Sequence, residues 1–128
     1  MSRPFFTAAY KKEYTELTFV GHPKNNQERE IYQQFMRNTI QQKQKFALLF
    51  NLQEIGILDW GLIMDHARFM KSIENDTLKY MQKVAIVINS NVVRSILFAI
   101  FKLQPPRIQC EIFNDMGDAS SFLSQTSQ

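Results

Sequence analysis

Residues 45–73 read KFALLFNLQEIGILDWGLIMDHARFMKSI, and this stretch holds a strand, a crossing and a helix in succession. Phe46-Ala47-Leu48-Leu49-Phe50 is an unbroken apolar run, which suits a strand covered on both faces. Gln53 to Trp60 reads as the crossing, with Asp59 placed to cap the helix after it. From Gly61 the apolar period changes to about 3.6 residues, and Leu62, His66, Phe69 and Ile73 share one helical face. A strand followed directly by such a helix is half of a βαβ crossover, so the stretch predicts a parallel sheet.

The flanks repeat the theme. Phe5–Tyr10 and Tyr14–Val20 are β-prone runs around Lys11-Lys12-Glu13 and predict a hairpin. Leu17 and Phe19 alternate with Glu16 and Thr18, the period of a half-buried strand. Gly21-His22-Pro23 stops that strand. Asn25 or Asn26 caps a helix running to about Gln42, with Glu28 and Glu30 near its start. Its apolar face is read as Ile31, Phe35 and Thr39, widened by Tyr32, Met36 and Ile40. After Ile73, Glu74-Asn75-Asp76 reads as a polar break.

Val84–Ile88 is a second continuous apolar run and predicts a second interior strand. Asn89-Ser90-Asn91 supplies turn and cap chemistry for a helix over Val92–Lys102, which Pro105-Pro106 ends. Arg107–Phe113 alternates and predicts an edge strand. Asp118–Leu123 is a short helix presenting Ala119, Phe122 and Leu123, and the tail Ser124–Gln128 is expected to fray. The expected fold class is α/β: a single-layer mixed, mostly parallel sheet of about five strands flanked by about four helices. No repeat or linker divides the 128 residues, so one domain is expected over 1–128.

Composition narrows the function. Fifteen Lys and Arg against 12 Asp and Glu leave a net charge of only +3, and the basic residues are scattered. No polybasic arm follows phosphates, so no nucleic-acid partner is expected. The apolar window Val84–Leu103 is interrupted by Asn89, Ser90, Asn91 and Arg94, so stable membrane insertion is not expected. A single cysteine, Cys110, forms no internal disulfide and is read as a small core residue. The N-terminus lacks the apolar core of a signal peptide, and the expected setting is cytoplasmic.

With the elements placed, the chain resembles the STAS family, the anti-sigma-factor antagonist fold, and its SpoIIAA-like and SEC14-like relatives. ELTFVG is similar to that family's strand ending in Gly before the first helix. FALLFNLQEIGILDWGLIM resembles its strand, loop and Asp-x-x-Gly-Leu helix start. VAIVINSNVVRSILFAIF and CEIFNDMGDASSFL resemble the next strand–helix pair and the closing strand and short helix. The resemblance implies a regulatory or protein-interaction module. It also implies a phosphorylatable Ser or Thr between the Asp and Gly of the helix start, but only Trp60 stands between Asp59 and Gly61.

Chemistry is sparse. Two histidines and one cysteine form no zinc spacing, and the four glycines form no phosphate loop, so no metal or cofactor is expected. No Ser sits in a nucleophile elbow, and no enzymatic activity is expected. The residues that stand out are Ile55, Ile57 and Trp60, apolar in a loop where polar residues are usual. The expected contact surface is the 54–66 loop and helix, with Ile55, Ile57, Asp59, Trp60, Gly61 and His66 meeting a protein partner or a second copy of the chain. The alternative is a small apolar or lipid ligand lined by Phe69, Met70, Phe98 and Phe101, as SEC14-like relatives imply.

Overall fold

Five strands lie side by side in sequence order in a computed structural model that describes residues 5–21, 25–55, 60–103, 105 and 107–124, with the side chains of residues 60–63 outside that set. β1 (Phe6–Tyr10) pairs antiparallel with β2 (Thr15–Phe19), the predicted hairpin, and Lys11 N–H donates to Tyr14 O at 2.9 Å in its turn. β2, β3 (Phe46–Asn51), β4 (Met81–Val87) and β5 (Gln109–Phe113) then run parallel. The mixed, mostly parallel sheet is the one expected, with β3 and β4 in its interior and β5 at an edge.

The helices are α1 (Asn26–Gln41), α2 (Trp60–Ser72), α3 (Glu74–Tyr80), α4 (Asn91–Leu103) and α5 (Met116–Ser124). Every crossover steps to the next strand in the same direction. Because crossovers keep one hand, α1, α2 with α3, and α4 all land on one face, while α5 covers the other.

β3 shows how one strand serves two cores. Leu48 and Phe50 face the helical layer, and Ala47 and Leu49 face α5, so the apolar run is continuous in sequence. β4 does the same with Val84 and Ile86 on one side and Ala85 and Val87 on the other. Ala119 is fully buried, which lets α5 lie close against the sheet.

Some local readings are corrected. Glu74-Asn75-Asp76 is not a break but the first turn of α3, where the two acids sit favourably at the helix start. The Thr77 hydroxyl bonds back to Glu74 O at 3.0 Å. The described residues therefore form five helices where about four were expected. β4 begins at Met81, three residues before the apolar run, because the register slips between Phe46↔Met81 and Ala47↔Lys83. Gln82 is the extra residue, and this bulge masks the alternation.

In α1 Ile31 is 57% exposed, and burial falls on Tyr32, Met36, Thr39 and Ile40. The two apolar stripes are neighbours on the helix, and α1 turns the Tyr32 stripe to the sheet. Asn25 is the cap, its Oδ1 accepting from Glu28 N–H at 2.9 Å. The tail beyond Ser124, expected to fray, lies outside the described residues.

Candidate functional site

α5 packs closely on its side of the sheet, whereas α1, α2 and α4 stand off on the other. Large side chains such as Tyr32, Phe69 and Phe101 prop those helices away. Between them and the strands lies a cavity of about 290 Å³. Phe50, Val84, Ile86 and Cys110 form its floor, and Tyr32, His66, Phe69, Met70, Leu97 and Ile100 its roof. Of the side chains suggested by sequence, Phe69, Met70 and Phe101 line it, while Phe98 is exposed on α4.

One polar pair stands inside. Tyr32 of α1 and His66 of α2 share a hydrogen bond, Oη to Nε2, at 2.6 Å. The His66 ring also meets Phe50 edge-on, and Tyr32 is ringed by Phe5, Phe6, Phe19 and Phe69. A hydroxyl and an imidazole placed among aromatics satisfy each other there, Tyr32 being buried and His66 half-buried. Burial pushes His66 down to about 4 and pushes the Tyr32 hydroxyl well above its ordinary value, so both are neutral near pH 7.

The charges stay at the rims. Asp65 pairs with Arg29 across α1 and α2, and with Arg68 on its own helix, each at 3.3 Å. Glu74 pairs with Arg107 at 3.3 Å and with Lys71 at 3.4 Å. The Cys110 thiol is pushed up to about 12, first by burial and then by Glu111, so it stays protonated. Among the described residues, no group of His, Cys, Asp and Glu is arranged to hold a metal ion. No described helix is long and apolar enough to cross a membrane.

The candidate contact residues are divided by the structure. Ile55 is half-buried and lines the cavity, and His66 is turned into it. Ile57 and Asp59 lie outside the described residues. Trp60 and Gly61 open α2 as expected, with their side chains outside the described set. Sequence reasoning placed His66 on the apolar face of its helix but missed Tyr32, 34 residues away. The available signal was a tyrosine in the apolar stripe of α1, whose hydroxyl needs a partner once buried.

The sequence profile of the SpoIIAA-like family matches residues 14–124, a span that takes in β2 to β5 and all five helices. The chain belongs to the SpoIIAA-like family. That family carries the STAS-type fold, and its members are generally non-catalytic regulatory or protein-interaction modules. A crystal structure of an uncharacterised protein from Shewanella loihica PV-4, described as having a SpoIIAA-like fold, is similar to this chain. It superposes with a TM-score of 0.66 at 15% identity, covering 92% of this chain and 91% of that one. This likeness shows the fold. No curated protein matches. The expected resemblance to the STAS and SpoIIAA-like families is therefore borne out.

Proposed function

We propose that this SpoIIAA-like chain is a non-catalytic binding module that takes a small apolar molecule between its helical layer and its sheet. The observation that carries this reading is the cavity of about 290 Å³, walled by aromatic and aliphatic side chains with paired charges only at its rims. Ligand sites have this make-up, mostly apolar with few polar groups. The chemistry of the lining supports binding over catalysis. The phenol of Tyr32 and the thiol of Cys110 are pushed away from ionisation rather than towards it, and the Thr77 hydroxyl is engaged with Glu74 O. The expected cytoplasmic setting fits a chain whose single cysteine, Cys110, forms no disulfide within it.

The test uses n-butylbenzene as the probe. Binding should raise the melting temperature of the wild-type chain and move the methyl resonances of Ile86 and Ile100. Ala67→Phe, which puts a ring into the cavity wall, should abolish both effects. A wild-type chain unaffected by saturating probe overturns the reading.

A second reading concerns residues 54–66 as a surface for a protein partner or a second copy, meeting Ile55, Ile57, Asp59, Trp60 and Gly61, while His66, expected on that surface, is turned into the cavity and bonded to Tyr32. The family's typical role favours it, and so does the position of Ile55 at the cavity, where a bound partner would sense its filling. Trp60 is the single tryptophan, so its emission reports on this segment alone. It should shift blue on association, and Trp60→Ala should weaken association by more than ~1 kcal/mol with little change in melting. Blue emission at every concentration, with a large stability loss in the variant, would make Trp60 a core residue.

A further inference from the structure

The cavity's size and its one internal polar pair say more about the occupant. We infer that the ligand is an uncharged molecule of roughly a dozen non-hydrogen atoms carrying one hydrogen-bonding oxygen, which docks on the Tyr32–His66 pair. This inference rests on the reading of the cavity as a binding site.

Size comes first. A dry protein cavity of about 150 Å³ holds benzene. The volume here is about 290 Å³, so the space suits one ring with a short chain, or one medium chain. A two-tailed phospholipid, with several times as many atoms, exceeds that volume. The lipid alternative implied by SEC14-like relatives thus narrows to something much smaller.

Polarity comes second. Tyr32 and His66 occupy each other once, at 2.6 Å. A phenol carries one donor and two acceptor sites, so Tyr32 keeps capacity for at least one more bond, beside that of the second ring nitrogen of His66. If Tyr32 donates to Nε2, its oxygen accepts from a ligand hydroxyl. If Nε2–H donates to Tyr32, the phenolic proton is left for a ligand oxygen. An alcohol satisfies either arrangement. Of the other polar groups in the lining, the Thr77 hydroxyl is engaged with Glu74 O, the Cys110 thiol is a weak donor, and Gln33 is half-exposed at the cavity's edge.

Charge comes third. Among the described residues, an ionised carboxylate placed among Phe19, Phe50 and Phe69 meets no cation without a carboxylate partner, and an unpaired buried charge is costly. Arg29 and Arg107 line the cavity, but each already pairs with a carboxylate, Asp65 or Glu74. An anion at the rim would have to displace one of those partners. Holding His66 neutral by burial also removes the one internal group that could become a counter-ion.

Three probes of nearly equal size separate the possibilities by calorimetry or NMR titration at pH 7.5: n-butylbenzene, 4-phenyl-1-butanol and 4-phenylbutanoate. The alcohol should bind about fivefold tighter than the hydrocarbon, the yield of one net hydrogen bond. The carboxylate should bind at least tenfold more weakly than the alcohol. Tyr32→Phe should bring the alcohol down to the hydrocarbon's affinity while leaving the hydrocarbon's unchanged. Alcohol binding should also move the imidazole nitrogen resonances of His66 in the wild-type chain, a readout that needs no variant. If no probe binds, the cavity reading itself falls, and this inference with it. If the hydrocarbon binds but the alcohol gains nothing, or the carboxylate equals the alcohol, the cavity reading stands and this inference is overturned.

Discussion

His66 should make the stability of this fold depend on pH in a way that one substitution removes. In the native chain its imidazole is pushed down to about 4 by burial. In the unfolded chain it returns to about 6.5. Between those values the unfolded state binds a proton that the native state does not, so stability falls as pH falls. Going from about pH 7 to about pH 4.5 should cost about 2.5 kcal/mol from this group alone. That is an upper bound, because His66 keeps some contact with solvent.

Carboxylates also begin to titrate in this range, so the comparison must be with His66→Phe, which keeps a ring but cannot ionise. His66→Phe leaves the Tyr32 hydroxyl without its partner, a constant cost of about 1–3 kcal/mol at every pH. Urea melts of both proteins across the range would give two curves. The wild-type curve should fall more steeply by about 2 kcal/mol, so the two approach each other in acid. Curves that stay parallel would refute the reasoning, as would an NMR titration placing the His66 midpoint near the ordinary value.

Three further predictions concern the framework. Leu49 is fully buried under α5 and Ile86 nearly so under the helical layer, so Leu49→Ala and Ile86→Ala should each cost about 2–5 kcal/mol in denaturant melts; losses below about 1 kcal/mol would mean these runs are not the core. Lys83 is buried, its Nζ donating to Phe122 O at 3.0 Å and lying over the Phe122 ring; since that carbonyl is at the C-terminal end of α5, Lys83→Met should lose about 1–2 kcal/mol and loosen α5 in amide exchange. Lys43 follows α1 with a φ of 55°, a left-handed conformation that glycine adopts without penalty, so Lys43→Gly should raise stability by about 0.5–1 kcal/mol, and a loss instead would mean the lysine side chain contributes there.

Much of this architecture was legible in the chain. The unbroken runs at Phe46–Phe50 and Val84–Ile88 announced interior strands because a residue covered on both sides cannot be polar on alternate positions. The alternation of strand and helix implied a parallel sheet, and Asn25-Asn26 marked the start of α1, with the structure choosing Asn25 as the cap. These are local signals, readable within a few residues of each other.

What the tertiary structure alone decided is how elements distant in sequence meet. Periodicity says that one stripe of α1 is buried, but not whether Tyr32 or Ile31 leads it, because adjacent stripes differ by one residue. It cannot pair Tyr32 with His66, or Lys83 with the carbonyl of Phe122, since those partnerships depend on the angle and height of packed layers. The cavity is the clearest case. Its walls are ordinary core residues by composition, and the space between them exists only because α1, α2 and α4 stand off from the sheet while α5 does not. Volume left unfilled is a property of the assembled layers, and no single segment of sequence encodes it.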